Sequence, residues 1–251
     1  YSDRMEMPDG PTLADTFRRA GYQTSAVGKL HVYPQRNRIG FEEALITEEA
    51  RYDFGVTDDY QIWLGEHGYA GQEFLHGMGS NMYHTRPWHL PEHTHVTNWT
   101  ARQMASQMKR SDPTRPHFFY CSFTAPHPPL VPPQSYLDMY DLGEIDEPFS
   151  GEWVNKKVYP IEALRDMSAL YTKKEVRMAR RAFYASCTHI DHQIRLLIGT
   201  LREQSLLDNT ILAFMSDHGD MLFNHGMVAK RVFYEGSSHI PFFVTGNPIA
   251  D

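Results

Sequence analysis

The sequence predicts an α/β fold in which a mostly parallel sheet carries helices on both faces. Three short apolar runs have the length of buried strands and lie at residues 117–123, 210–215 and 241–245. A long helical pattern at 172–204 repeats apolar residues at three- and four-residue spacing. Polar residues that could carry chemistry follow the predicted strands. An open parallel sheet places its ligand sites at these strand ends.

The chain opens with a predicted helix and strand. Residues 12–20 predict the helix, with Thr12 as its cap, Asp15 in the position of a capping box and Gly21 at its end. A short strand is expected to follow and to run through Val27. The sequence Gly-Lys-Leu-His comes directly after this strand.

The middle of the chain is predicted to be mostly irregular. Residues 36–99 are rich in Gly, His, Tyr and Trp and have weak periodicity, which indicates a long, functional loop excursion over one face of the sheet. Within it, Asp58 and Asp59 precede an amphipathic stretch. We interpret them as a helix N-terminus rather than a paired-carboxylate metal site. A helix is expected at 100–109, and residues 128–171 are expected to have little regular structure.

The second half contains the clearest elements. The run at 117–123 is nearly continuous and predicts a strand buried on both faces, and the runs at 210–215 and 241–245 predict two more strands, the first of them buried. The helix at 172–204 has Thr172 and Glu175 in capping-box spacing. It is expected to bury the stripe Val176, Phe183, Ile190, Ile194 and Leu197. It is expected to expose Lys173, Arg177, Arg180 and Arg202.

Composition limits the function classes. The chain has 251 residues, of which 41% are hydrophobic and 22% charged, as in one large globular domain. Its net charge is −7 and it has no Lys/Arg-rich run, which argues against nucleic acid or an anionic membrane as a partner. Fourteen histidines, several of them beside Gly, Pro or Asp, favour an enzyme. The two cysteines, Cys121 and Cys187, are expected to be buried free thiols rather than disulfide or zinc ligands.

Three features of the sequence bear on where the protein is located and on whether its start is included. No run of about 18 apolar residues is present, so a soluble protein is expected. The N-terminus has no signal-peptide pattern, which favours the cytoplasm. It also lacks Met and reaches a helix within a dozen residues, so we expect the sequence to begin partway through a domain, and an export signal could precede it.

Six side chains near predicted strand ends suggest a site for an anion and a metal. Asp217 and His218 offer one carboxylate oxygen and one imidazole nitrogen, a pair suited to calcium, manganese or zinc, although a polar turn is the alternative. Lys29 and Lys230 are cations suited to a tetrahedral sulfate or phosphate, although most lysines only solvate a surface. The remaining two, His31 and His127, could transfer protons near neutral pH, although a histidine in such a loop is often structural.

Four motifs in this order resemble the sulfatase family of the alkaline-phosphatase superfamily. They are Gly-Lys-Leu-His at 28–31, Thr-Ala-Pro-His-Pro-Pro at 124–129, Ser-Asp-His-Gly-Asp at 216–220, and Lys230 ahead of Tyr-Glu-Gly-Ser at 234–237. The segment Arg-Pro-Trp-His-Leu-Pro-Glu at 86–92 is also similar to bacterial sulfatases. The resemblance covers essentially the whole chain. It implies an alkaline-phosphatase/sulfatase-like fold in which residues 1–251 form the central part of one catalytic domain.

The resemblance also implies a function and a role for each of the six residues. The expected activity is hydrolysis of small sulfuric esters or related anionic esters with a divalent metal, Ca²⁺ first and Mn²⁺ or Zn²⁺ as alternatives. By analogy, Lys29 and Lys230 contact the sulfate. The histidines His31 and His127 serve turnover of the nucleophile and protonation of the leaving alcohol. Asp217 and His218 bind the metal.

Two departures from the family pattern leave alternatives open. The family's Cys-x-Pro-x-Arg motif, whose Cys becomes the formylglycine nucleophile, is absent, since Cys121 and Cys187 have other neighbours. The family's paired N-terminal aspartates and its C-terminal subdomain are also missing, so these residues alone are expected to be inactive. His218 stands where many arylsulfatases have Asn. A phosphonate monoester or phosphodiester hydrolase, or a catalytically incomplete fragment, therefore remains an alternative, and the oligomeric state stays open.

Overall fold

The computed structural model describes residues 4–49, 55–154 and 169–246. Its central element is a three-stranded parallel sheet of order β2-β1-β3, formed by Gln23–Gly28 (β1), Glu43–Ile46 (β2) and His117–Ser122 (β3). Helices pack around this sheet, so the predicted α/β class with parallel strands is confirmed. In the ranges described, no helix is long and apolar enough to cross a membrane.

The first helix, α1, spans Leu13–Arg19 and matches its prediction. The hydroxyl oxygen of Thr12 accepts a hydrogen bond from the backbone N–H of Asp15 at 3.0 Å. This bond satisfies one of the N–H groups that every helix leaves unpaired at its start. The Asp15 carboxylate forms ion pairs with Arg18 and Arg19 one turn later, so it stabilises the helix rather than completing a capping box.

The predicted loop excursion contains two regular elements, the helix expected after Asp58 and a strand that the sequence pattern did not reveal. Strand β2 pairs with β1 in parallel, and helix α2 spans Asp59–Glu66. The helix begins at Asp58, whose side chain accepts from the N–H of Gln61 at 2.9 Å in a reciprocal capping box. The interpretation of Asp58 and Asp59 as a helix N-terminus is therefore confirmed. Strand β2 escaped prediction because it is four residues long and begins with an exposed glutamate.

The core lies between α2, the helix α3 at Val96–Arg110, and the sheet. Trp99 and Met104 of α3 are fully buried and pack with Tyr60 and Leu64 of α2. Helix α3 begins four residues before its predicted start, because the His95 side chain caps it by accepting from the N–H of Thr97. Two short turns follow β3, the helix α4 at Gln134–Leu137 and a 3₁₀ turn at Leu142–Glu144. The rest of the predicted irregular stretch includes 155–168, which lies outside the described residues.

The longest helix, α5, spans Lys173–Glu203 and has the predicted capping box at Thr172 and Glu175. Ile190 and Leu197 are buried as expected, whereas Val176, Phe183 and Ile194 are half-buried.

Two expectations about α5 were wrong. Arg180 is buried rather than exposed, because its guanidinium donates to the carbonyl oxygen of Leu222 and pairs with Asp146. Cys187 is exposed, because it lies on the outer side of the helix, and Cys121 in β3 is only partly buried.

The strands of the C-terminal part differ most from prediction. Leu212–Met215 (β4) and Phe242–Thr245 (β5) pair with each other in antiparallel orientation and form a separate two-stranded sheet. A short helix, α6, at Glu235–Ser238 precedes β5. The predicted burial of β4 was wrong, since Met215 is 57% exposed. Strand β3 is also less buried than predicted. The physical reason is that both β3 and β4 are edge strands within the described part of the chain, with one side unpaired.

Arg180 provides a test of this packing. Replacing Arg180 with Ala removes a buried side chain and leaves the Leu222 carbonyl without its donor. We expect the free energy of unfolding to fall by about 2–3 kcal/mol. The matched control is Arg177→Ala, because Arg177 forms a more exposed pair with Glu147 and should cost under about 1 kcal/mol. Urea unfolding of the intact protein measures both, and equal losses would contradict the structural role assigned to Arg180.

Candidate active site

Strand β1 ends in a glycine that the backbone geometry requires. Gly28 has φ +112°, and a Cβ atom at this position would lie 1.8 Å from the carbonyl oxygen of Ser122 at the end of β3. No other residue fits such a close approach. The next residue, Lys29, donates its backbone N–H to the same Ser122 oxygen at 3.1 Å. Lys29 therefore leaves the sheet directly beside the segment that follows β3.

A buried carboxylate fixes the turn after β1. One Glu48 oxygen accepts the backbone N–H groups of Leu30 at 2.7 Å and His31 at 2.9 Å. The N–H of Glu48 itself donates to the Asp58 side chain at 3.0 Å. These bonds hold His31 in a left-handed conformation, with φ +55°. His31, one of the six predicted site residues, is thus held by hydrogen bonds to its backbone. The residue itself is exposed.

The neighbouring carboxylate, Glu49, joins two of the predicted site residues. Its Oε1 atom lies 3.1 Å from Lys29 Nζ and 3.2 Å from His127 Nδ1. All three side chains are largely buried, so water screens these charges little. Sequence reasoning missed both Glu48 and Glu49, since a glutamate pair after an unrecognised strand has no distinguishing pattern.

Lys230 completes the cluster from the other side of His127. Its Nζ atom lies 2.9 Å from His127 Nε2, while His127 Nδ1 lies 2.7 Å from the carbonyl oxygen of Pro128. A carbonyl can only accept, so Nδ1 carries the hydrogen and Nε2 accepts from Lys230. Burial lowers the pKa of His127, and the two nearby lysines lower it further against the opposing effect of Glu49. Burial and Lys29 likewise lower the pKa of Lys230.

Asp220 positions the loop that carries Lys230. One of its carboxylate oxygens accepts the N–H groups of Leu222 at 2.8 Å and Ala229 at 3.2 Å, and the other accepts the Tyr83 hydroxyl at 2.5 Å. Ala229 immediately precedes Lys230. Asp220 therefore ties the lysine loop to the end of the β4 segment and to the long excursion that contains Tyr83.

Asp217 and His218 lie just after β4 and face the same region. The His218 ring centroid is 6.2 Å from that of His127. His218 Nδ1 lies 2.7 Å from the carbonyl oxygen of Gly219, so Nδ1 carries the hydrogen and the Nε2 lone pair can bind a cation. The Asp217 carboxylate is 82% exposed and its Oδ2 lies 3.6 Å from this nitrogen.

The donor set at Asp217 and His218 fits part of a divalent-metal site. One carboxylate oxygen and one imidazole nitrogen can reach a common ion, but no group of three or more potential ligands occurs in the residues that the structure describes. A complete site requires further ligands. The structure thus brings together Lys29, His127, Lys230, Asp217 and His218, and it places His31 at the rim through its backbone.

Comparisons with known proteins identify curated relatives of this chain. An arylsulfatase from Clostridium perfringens is 36% identical over 97% of this chain and 54% of its own length. A choline-sulfatase from Rhizobium meliloti is 33% identical over 96% of the chain and 48% of its own length. The chain therefore spans about half the length of these curated relatives.

A solved structure shares the fold. The phosphonate monoester hydrolase of Agrobacterium radiobacter superposes with a TM-score of 0.78 at 20% identity, covering 94% of this chain and 52% of the other. The family model described as Sulfatase matches residues 5–250, nearly the full length of the sequence. The chain carries the sulfatase-like motifs, and the residues of these motifs cluster at the strand ends. Together with the match of the family model, this shows that the chain belongs to the sulfatase family.

Proposed function

We propose that the protein hydrolyses small-molecule sulfuric esters and that residues 1–251 form the central part of its catalytic domain. The observation that carries this proposal is the buried cluster of Lys29, Glu49, His127 and Lys230. It combines two cations for an anion with an imidazole that can move a proton. The sulfatases among its relatives support the choice of a sulfate ester.

The two lysines supply local anion binding in a chain of net charge −7. Lys29 is close enough to lower the pKa of Lys230, so the two cations repel each other, and an anion that contacts both would replace part of this repulsion with attraction. Glu49 balances one positive charge and keeps Lys29 in place without substrate. Because these groups are buried, their hydrogen bonds to the developing oxyanion are stronger than they would be in water.

His127 is the proposed proton donor to the leaving alcohol. Its Nε2 atom accepts a hydrogen bond from the Lys230 ammonium, so a proton already lies on the axis between these two nitrogens. The lowered pKa values of both groups make this proton easier to give up near neutral pH. Lys230 passes this proton to His127 Nε2, which leaves a neutral lysine amine and an imidazolium. When the ester bond breaks, His127 Nε2 delivers the proton to the departing oxygen, so the product leaves as a neutral alcohol and the imidazole returns to its neutral form. His31, at the rim, is proposed to assist turnover of the nucleophile.

A divalent metal is part of the proposal. Asp217 and His218 would hold it together with ligands from beyond these residues, and Ca²⁺ is the first candidate, with Mn²⁺ and Zn²⁺ as alternatives. When bound, such an ion polarises the ester oxygens and stabilises negative charge. The exposed Asp217 carboxylate and the available Nε2 of His218 are consistent with an open metal position.

The proposed nucleophile is a formylglycine that lies outside these 251 residues. Neither cysteine of the chain suits the role. Burial raises the pKa of Cys121 to about 12, which suppresses its thiolate, and neither Cys121 nor the exposed Cys187 stands in a Cys-x-Pro-x-Arg sequence. Nucleophilic attack on sulfur by the hydrated aldehyde would then use the cluster for charge stabilisation and proton transfer.

Hydrolysis of phosphonate monoesters is the second candidate. It is favoured by His218, which differs from the Asn of many arylsulfatases, and by the structural likeness to a phosphonate monoester hydrolase. The deciding experiment compares kcat/KM of the intact protein for 4-nitrophenyl sulfate with that for the 4-nitrophenyl monoester of methylphosphonate. A higher value for the sulfate supports the proposal, and a higher value for the phosphonate favours the alternative.

Lys230→Ala tests the anion-binding role. The change removes one cation and the donor to His127 Nε2 but no proposed metal ligand. We expect kcat/KM for 4-nitrophenyl sulfate to fall by roughly 10²- to 10³-fold, as when a single oxyanion donor is deleted, with metal content unchanged. Lys173→Ala, at an exposed position in α5, is the matched control. Wild-type turnover in Lys230→Ala would refute the assigned role.

Asp217→Ala tests the metal-binding role. Loss of the carboxylate should weaken the metal site, so we expect purified protein to lose both metal and activity, with activity partly restored by excess metal ion. The control is Asp208→Ala, an exposed aspartate shortly before β4. Elemental analysis and turnover are measured on the same samples. Full metal occupancy in Asp217→Ala would show that this residue is not a ligand.

A further inference from the structure

Two charged groups of opposite sign lie at the two nitrogens of the His127 ring. Oε1 of Glu49 is 3.2 Å from Nδ1, and the ammonium nitrogen of Lys230 is 2.9 Å from Nε2. The two nitrogens of an imidazole point away from each other, so the ring separates the carboxylate from the ammonium. A proton that passes from Lys230 to Nε2 therefore moves positive charge toward Glu49.

The carbonyl of Pro128 and the carboxylate of Glu49 act on the same nitrogen in different ways. Nδ1 lies 2.7 Å from the Pro128 oxygen, which accepts its hydrogen and so fixes the tautomer of His127. A carbonyl carries no net charge. Glu49 adds a full negative charge beside the ring, and such a charge stabilises an imidazolium more than a neutral imidazole.

Burial makes the charge of Glu49 effective. The side chain of Glu49 is 6% exposed and that of His127 is 12% exposed, so water screens their interaction little. Burial lowers the pKa of His127. Among the charged neighbours Glu49 has the largest effect on this pKa and raises it, whereas Lys230 and Lys29 each lower it by less. The contact of Lys29 with the same carboxylate oxygen thus leaves Glu49 a net stabiliser of the imidazolium.

The backbone of Glu49 adopts a conformation that is unfavourable for a residue with a side chain. Its φ angle is +54°, in the left-handed region. Residues in this region persist where surrounding contacts hold them, and they concentrate at functional sites. The preceding residue, Glu48, is held by the side chain of Asp58, so the chain turns here with the Glu49 carboxylate against His127.

We propose that Glu49 is a positioning residue for proton donation by His127, because its carboxylate stabilises the imidazolium that forms when Nε2 takes the proton from Lys230. Glu49 itself neither gains nor loses a proton, and Nε2 then delivers the proton to the departing oxygen. The inference rests on the proposed ester hydrolysis, in which His127 protonates the leaving alcohol. Loss of the Glu49 charge should therefore matter most for alcohols that leave poorly without a proton.

The test compares kcat/KM of the intact protein for phenyl sulfate and 4-nitrophenyl sulfate. Phenolate is the poorer leaving group, so phenyl sulfate depends more on the proton. Glu49→Gln keeps the shape of the side chain and removes its charge. We expect kcat/KM of this variant to fall by roughly 10²-fold for phenyl sulfate and by less than about tenfold for 4-nitrophenyl sulfate. Glu49→Asp, which keeps the charge, should recover part of the loss. The matched control is Glu43→Gln, at an exposed position in β2, and it should retain both wild-type values.

A second background shows whether Glu49 acts through His127. In His127→Ala protein, adding Glu49→Gln should lower kcat/KM for both esters by the same factor, since no imidazole remains to be stabilised. A selective loss for phenyl sulfate that persists in His127→Ala protein would contradict the proposal. Equal losses for the two esters in Glu49→Gln alone would also overturn it, because Glu49 would then serve only Lys29.

An NMR measurement on the intact protein separates the role of Glu49 from the proposed function. The signal of the hydrogen on His127 Nδ1 is identified by its absence in His127→Ala. A negative charge nearby polarises an N–H bond and deshields its hydrogen, so Glu49→Gln should move this signal upfield while Glu43→Gln leaves it in place. If neither sulfate is hydrolysed, the proposed function fails and the signal decides separately about Glu49. An upfield shift supports its action on the imidazole, and an unchanged signal rejects it.

Discussion

The close approach of two strand ends is the constraint on which the site depends. At Gly28 the backbone of β1 meets the carbonyl of Ser122 on β3 at a distance that no side chain tolerates. Parallel pairing in this register carries Lys29 and the segment that ends at His127 out of the sheet side by side. The site chemistry therefore follows from backbone packing. A larger residue at position 28 would push the two strand ends apart, and it would disturb the side chains of the site only through this displacement of the backbone.

Two adjacent glutamates connect the backbone at these strand ends to the charged side chains of the site. Glu48 binds backbone N–H groups and fixes the turn, whereas Glu49 binds side chains and fixes Lys29 against His127. Two lysines close to one imidazole would repel each other in a poorly screened environment. Glu49 offsets part of that repulsion, and a bound anionic ester would offset more. The site is thus organised without its substrate.

The sequence revealed the strand-end residues better than the elements that support them. Lys29, His127 and Asp217 stand in short motifs whose spacing around apolar runs is visible in one sequence. Glu49 carries no such signal, since its role depends on a four-residue strand that periodicity cannot detect. Arg180 was misjudged for a related reason: a helical pattern assigns a face, but only tertiary contacts show that its guanidinium reaches the carbonyl of Leu222. Exposure of β4 was equally invisible, because an apolar run predicts burial whatever strands lie beside it.

The strand-end residues, which the sequence revealed, and the residues of the excursion, which it did not, differ in how freely they can vary. The residues proposed to recognise the charged ester group come from strand ends and belong to motifs that resemble the sulfatase family. By contrast, Tyr60, Phe74 and Trp88 line a cavity that also borders Glu49 and His127, and they come from the excursion between β2 and α3, where periodicity is weak. Such a segment can change its side chains without disturbing the sheet. Side chains of this excursion can therefore differ while the strand-end cluster keeps its geometry, and Thr124, in the His127 motif, lines the same cavity as the three excursion residues.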